Sequence, residues 1–269
     1  MRRRKPDLWM LVGGAYLVLL VLLAVFGPSA RHGYLEMGPF SNLPSSAQYW
    51  FGTDSEGRDI FARVAYGARI SLMVGLTVQL ISLTVGIVVG VVGEFAPNWL
   101  SGPVMRLTDG MFAFPDILLA LLIIGIVGRG TFPVIVALSV TAWPGTARLV
   151  KTQLASLKDR EYVVAAKACG ASTPYLVVKH MLPQLWGILL AVSVVDLAGT
   201  ILAESTLSFL GIGVQPPEPS WGSMIDVGRK IMISYPAQLF WPCLFLSATI
   251  FALSFFGDGL RNLLDPKSN

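Results

Sequence analysis

The sequence predicts an all-α membrane protein with six transmembrane helices. Three observations lead there. Of 269 residues, 54% are hydrophobic and 13% charged, with a mean hydropathy of +0.66. That balance leaves too little polar surface to cover a soluble domain of this length. Several stretches with little or no charge approach the roughly 20 residues that a helix needs to cross about 30 Å of hydrocarbon. Lysine and arginine are also spread unevenly over the segments between those stretches, as an oriented membrane protein requires.

Leu8 to Phe26 and Ile70 to Gly93 contain no charged residue and form the first two spans. Between Asp109 and Arg148 lie two more. One is Ile117 to Gly128, extended backward through Gly110 to Pro115; the other is Gly130 to Ala147. Only Arg129 separates them, so they read as a helical hairpin with a very short outer turn. Pro183 to Glu204 is a fifth span with Asp196 inside it, and Ile231 to Gly257 supplies a sixth and its approach. Six spans place both termini on one side. That side holds Arg2, Arg3, Arg4, Lys5, Arg106, Arg148, Lys151, Lys158, Arg160, Lys167, Lys179, Arg261 and Lys267. By the positive-inside rule both termini face the cytoplasm. MRRRKPDLWMLVGG places basic residues before an apolar run, as a signal peptide does. The run is long, and Gly27-Pro28-Ser29-Ala30 matches a cleavage site only loosely, so an uncleaved first helix is expected.

Two outer segments, Gly27 to Arg69 and Ser205 to about Pro236, are too long for plain turns and are expected to make contacts or to cap the bundle. The formal charge is +4. In a chain of this composition basic residues mark the inner face and its lipid rather than a nucleic acid, so no nucleic-acid partner is expected. Cys169 and Cys243 are the only cysteines and form neither a disulfide framework nor a metal-ligand pattern. His32 and His180 fall on opposite sides, so no shared metal site is expected. Gly86, Gly90 and Gly93 form a small-residue stripe suited to close helix packing. An ionisable group at membrane depth is costly, so Asp196, and Glu204 nearer the outer end, belong either to a transport pathway or to a packing hydrogen bond.

The stretch EYVVAAKACGASTPYLVVKHMLPQL, residues 161–185, is the unusual one. Glu161 to Cys169 reads as a short helix, with glutamate at its positive end and strong helix formers at Ala165, Ala166 and Ala168. Gly170 ends it in the left-handed conformation. Thr173-Pro174 reads as an N-cap and first helical residue of a second short helix that runs through His180, and Pro183 marks the start of the fifth span. Small residues at Ala165, Ala166 and Gly170 permit close approach by another backbone, and Tyr162 offers an anchor. This suits a groove on a soluble partner better than a lipid surface, which would favour a broader face of bulky side chains.

This segment resembles the cytoplasmic loop of ABC importer membrane subunits, E-A-A-x-x-x-G-x(9)-I-x-L-P. Ala165-Ala166, Gly170 and Leu182-Pro183 match it, while Val164 replaces the glutamate and His180 the isoleucine. Those departures are similar to the dipeptide, oligopeptide and nickel permease branch, whose loop reads E-Y-V-x-A-A-x-x-x-G-A-S followed by H-x-L-P. Glu161, Tyr162, Val163, Gly170, Ala171, Ser172 and His180 fit that form. Phe51-Gly-Thr-Asp54 with Glu56-Gly-Arg-Asp59, Tyr66-Gly-Ala-Arg-Ile-Ser-Leu72, Ile201 to Gly211, Gln215-Pro-Pro217, Ser220-Trp-Gly222 and Gly257-Asp-Gly-Leu-Arg261 with Leu264-Asp-Pro266 resemble its C-type subunit. The resemblance covers about residues 45 to 266.

The resemblance implies a type I ABC importer transmembrane domain in a bacterial cytoplasmic membrane. Residues 1–66 would be a first helix plus an extracytoplasmic segment, and residues 67–266 a permease core with a coupling loop at 153–182. It further implies a heterodimer with a homologous B-type permease, two cytoplasmic ATPases and an extracytoplasmic solute-binding protein. Coupling would run through Glu161, Tyr162, Ala165, Ala166, Gly170, Ala171 and Ser172. The binding protein would dock on outer loops bearing Asp54, Glu56, Arg58, Asp59 and Trp221. The chain contains no G-x-x-x-x-G-K-[ST], so it is expected to be non-catalytic and to hold no cofactor, with ATP and Mg bound by the partner ATPases. Peptides are the expected cargo; the same architecture also suits nickel, a metal chelate or an opine. An intramembrane hydrolase fits poorly, for lack of G-x-S-x-G and of a second histidine on one side, and no internal repetition of the kind found in secondary transporters is evident.

Overall fold

Capping groups and prolines decide where each helix begins and ends. A computed structural model describes residues 7–30 and 32–264, so Arg2, Arg3, Arg4, Lys5, Arg31, Asp265, Pro266 and Lys267 lie outside the described residues. Within them the regular structure is helical, with two isolated bridges, Met37 to Arg58 and Thr53 to Asp59, in the outer loop.

Helix α1, Leu8–Phe26, packs along the last helix, α10, Ala237–Leu264. Gly13 brings the α1 backbone against the Ala252 carbonyl. The Tyr16 hydroxyl donates to the Phe245 carbonyl and lies 3.1 Å from Thr249 Oγ1. Because Gly259 packs on Met10 and Gly187 on Leu264, the start of α1 and the end of α10 share one face of the bundle.

Helix α2, Ile60–Phe95, has 36 residues. At about 1.5 Å per residue it spans roughly 54 Å, well beyond the hydrocarbon thickness. It starts ahead of the expected Ile70 because Asp59 caps it, accepting from the Phe61 N–H at 2.8 Å. The intervening residues bury Ile60, Ala62, Val64, Ala65 and Ala68. Arg63 and Arg69, within the expected outer segment Gly27 to Arg69, are therefore helical, and Arg63 pairs with Asp54 at 3.4 Å.

The expected third span is broken. Helix α3, Asn98–Met111, meets α4, Asp116–Val127, at a bend of 96°. Residues 112–114 form turns back to Asp109, Gly110 and Met111. Pro115 disfavours helical backbone at Phe114, so Gly110 and Met111 belong to α3 rather than to the span. The 12 residues of α4 cover only about 18 Å. Among the described residues five helices reach spanning length, or six spans result if the bent pair counts as one.

Gly128 (φ +108) and Gly130 (φ +131) make the short turn into α5, Thr131–Leu157. Helix α6, Glu161–Ala168, and α7, Thr173–Leu176, follow. A π turn over Val177–Met181 leads without a break into α8, Leu182–Phe209. The second outer segment, expected as a loop, contains α9, Trp221–Lys230, held by a Ser220–Ser223 capping box.

The two outer segments fold onto each other and onto α2. Trp221 is fully buried, donates its indole N–H to the Val64 carbonyl at 3.0 Å, and occupies the space left by Gly67. Gln238 donates to Asn42 Oδ1 at 2.8 Å, and Phe51 stacks on Trp241 with centroids 3.8 Å apart.

Two stability predictions follow from this packing. A Cβ at Gly90 would sit 2.7 Å from Val150 Cβ and 2.8 Å from the Ala147 carbonyl. Gly90→Ala is expected to lose about 1–3 kcal/mol by overpacking, and Gly90→Leu to prevent α2 from seating on α5. Trp221→Ala is expected to lose about 3–5 kcal/mol by opening a cavity under the outer cap. Thermal unfolding of the purified protein in detergent measures both; unchanged midpoints would contradict the packing described.

Candidate functional site

The chain presents two sites, an exposed helix pair on the face shared by the helix ends and a cavity between the long helices. In the helix pair, Gly170 takes φ +89. Its N–H donates to the Lys167 carbonyl, and the Ala171 N–H donates to Ala166. This Schellman arrangement satisfies carbonyls that would otherwise be orphaned at the end of α6. The N-cap of α7 is Ser172, one residue before the expected Thr173, so Thr173 is the first helical residue and Pro174 the second. Pro183 lies inside the continuous run from α7 through the π turn into α8, where its missing N–H removes one rung of the ladder next to the π turn.

Glu161, Tyr162, Ala165, Gly170 and Ser172 are exposed on this pair. Ala166 and Ala171 are half-buried instead, packed beside Val163, Leu154, Leu176 and Met181. They set the height of α6 above the bundle while Gly170 and Ser172 border a shallow recess with Tyr175 and His180. A second cleft, of about 1010 Å³, runs from Glu161 and Tyr162 to Arg261 and Leu264, so α6 lies on the face where the chain ends meet. Lys158, just before α6, donates to Glu94 at the end of α2 at 2.6 Å. That hydrogen bond and the carboxylate charge raise the lysine above its ordinary range, so it stays protonated. The pair ties the end of α5 to the end of α2 just ahead of α6.

The outer residues expected to dock a partner are mostly internal. Asp54 accepts from the Glu56 and Arg58 N–H groups, each at 2.9 Å, and from Arg58 Nε at 2.8 Å. Asp59 caps α2 and lies 3.2 Å from His32 Nδ1. With Arg58 held between Asp54 and Glu56, and Trp221 buried, only Glu56 is exposed, its side chain at 51%. Short polar side chains in a tight outer loop fold it by bonding its own backbone.

Glu204 is fully buried and accepts hydrogen bonds from Ser208 at 2.8 Å, Ser71 at 3.0 Å and Ser205 at 3.4 Å. Hydroxyls from α2 and α8 thus join two helices through it, which is the packing alternative for this residue.

Asp196 is exposed and lines a cavity of about 320 Å³ at mid-length of α2, α5 and α8, closed on one side by the α3–α4 bend. No hydrogen bond engages its carboxylate among the described residues, and its carbonyl accepts from Thr200. Asp116, at the start of α4, lines the same cavity. So does Gln79, 7% exposed, whose Nε2 is buried without a partner. An unpaired buried amide costs about 1–3 kcal/mol unless something else occupies its donor. Gly145 and Gly199 widen the cavity, since a Cβ on either would meet nothing. Sequence reasoning missed Asp116 and Gln79. Gln79 was the only amide in the uncharged second span, and that was the available signal. Among the described residues no three His, Cys, Asp or Glu side chains converge as a metal group.

Residues 82–269 match the family model described as binding-protein-dependent transport system inner membrane component. The chain is 39% identical over 269 residues to the dipeptide transport system permease protein DppC of Bacillus subtilis (strain 168), covering 99% of this chain and 84% of that protein. It is 36% identical to the oligopeptide transport system permease protein OppC of the same organism, covering 99% and 88%. Identity to the glutathione transport system permease protein GsiD of Escherichia coli O157:H7 is 35%, covering 99% and 89%. An inward-facing structure of the MetNI methionine ABC transporter superposes with a TM-score of 0.62 at 21% identity, over 74% of this chain and 94% of that one, and so shares the fold. The chain therefore belongs to the inner membrane components of binding-protein-dependent transport systems, as an ABC importer permease subunit.

Proposed function

We propose that this chain forms half of the translocation pathway of an ATP-driven importer of dipeptides or oligopeptides. The observation that carries the reading is the exposed α6–Gly170–α7 unit, rooted by Val163 in the bundle core yet presenting Tyr162 outward, in a chain closely related to peptide-system permeases.

In this reading Glu161, Tyr162, Ala165, Gly170 and Ser172 contact a cytoplasmic ATPase, while Ala166 and Ala171 hold α6 at the height that contact needs. Two ATPases bind ATP and Mg and close on each other; this chain performs no catalysis and only relays the motion. Leu154, Val163, Leu176 and Met181 form one packed cluster, so displacement of α6 shifts α5 and α8 together, and the cavity between them opens alternately to each side. A homologous B-type permease supplies the other half of the pathway. Both termini face the cytoplasm, and a solute-binding protein delivers cargo from the opposite side. Nickel is the competing cargo, and the uptake measurement separates the two.

Cells lacking the gene are expected to lose uptake of a labelled dipeptide, with rescue by the wild-type gene and no change in uptake of radioactive nickel. The reverse pattern would reassign the cargo to the metal while leaving the coupling reading intact. Gly170→Val is expected to strain a left-handed backbone position by about 1–3 kcal/mol and, with Tyr162→Ala, to lower copurification of the ATPase subunit. Retention of full copurification in both variants would reject α6 as the coupling element.

A further inference from the structure

The cavity has a chemical bias that its position alone does not require. Its lining includes two carboxylates, Asp196 and Asp116, and no lysine or arginine. Arg148, whose guanidinium lies over the ring of the lining residue Phe112 at 4.1 Å, is already paired with Asp109 at 2.6 Å. Gln79, more than nine-tenths buried, lines the same space, and its amide Nε2 has no acceptor among the described residues. Carboxylates that attract a cation and an amide that lacks an acceptor are complementary to a group with an ammonium close to a carbonyl oxygen. The volume, about 320 Å³, lies at the lower end of the range of roughly 300–1,000 Å³ for small-molecule sites.

We propose that this cavity is a contact site for the amino-terminal end of a peptide cargo, in which Asp196 and Asp116 receive the ammonium and Gln79 donates to the first carbonyl. The proposal rests on the peptide-import reading and deepens it, since it assigns part of cargo recognition to the permease itself. An anionic cargo would meet two like charges here. A bare divalent metal would find two carboxylates where a third strong ligand is needed, and the described residues bring none. Charge is therefore recognised at Asp196, whereas Glu204, tied up by serine hydroxyls from two helices, plays no part.

The test uses the whole transporter, with partner permease, ATPases and binding protein, in proteoliposomes and radiolabelled Ala-Ala as the probe. Asp196→Asn and Gln79→Leu are each expected to lower Ala-Ala uptake about tenfold, the loss of one hydrogen bond to a charged or buried group. The complex should copurify normally in both, because neither side chain has a hydrogen bond to lose among the described residues. Asp196→Glu is expected to restore most of the uptake. If Asn and Glu transport alike, or if Gln79→Leu transports as wild type, the site is overturned. If both neutral variants lose the assembled complex, the residues are structural and the site is likewise overturned. Failure of the wild-type complex to import Ala-Ala would instead remove the peptide reading, and this proposal with it.

Discussion

The architecture depends on how closely other helices approach α2. Along this one helix, missing side chains admit successive neighbours: Gly67 receives Trp221 of α9, Gly75 receives Leu197 and Ile201 of α8, and Gly86 and Gly90 receive Thr146 and Val150 of α5. Gly93 receives Met105 of α3. In hydrocarbon the apolar effect cannot hold helices together, since lipid is as apolar as leucine, so dispersion and shape must do it. A helix with small residues at these points lets partners come close enough for those short-range forces to act. The same helix places Gln79 in the cavity and Ser71 against Glu204.

Polar groups in this bundle divide by whether their partners come from the protein. Glu204 and Trp221 are satisfied internally, by three serine hydroxyls and a backbone carbonyl respectively. They join α2, α8 and α9 and give the outer half rigidity. Asp196 and Gln79 have no such partners among the described residues and open onto a shared space. Glu204 and Trp221 lie toward the outer end of the bundle and Asp196 and Gln79 at mid-length; what also separates them is whether the neighbouring helix offers a complementary group. The outer cap repeats the first pattern, with Asp54 and Asp59 spent on the loop's own backbone and on Arg58 and His32.

At the opposite face, a few features fix a surface helix to the bundle. Val163 anchors α6 in the same apolar cluster as Leu154 of α5 and Leu185 of α8, and the Schellman turn at Gly170 fixes the angle between α6 and α7. The π turn then carries α7 into α8 with no flexible joint. In the proposed coupling, a push on Tyr162 would pass into a helix whose middle bears Asp196.

What the sequence by itself determined was whatever depends on local chemistry. Apolar run length located the long helices, because hydrocarbon thickness sets a minimum. Gly170, the short turn at 128–130 and the α6 segment were legible because a left-handed glycine or a run of alanines has a conformational preference of its own. The loop at 161–183, in combination with the motifs at 51–72, 201–222 and 257–266, was enough to reveal the resemblance to its family. Tertiary structure decided the rest, because the outcome rests on partners distant in the chain. Arg63 became helical once Asp54 folded back to meet it. The third span broke by 96° at the Pro115 constraint, and Trp221, an exposed anchor by its loop context, became the core of the cap because Gly67 left it room. Asp196 and Glu204 sit eight positions apart on one helix and are indistinguishable by residue chemistry; the serines of α2 and α8 reach only one of them.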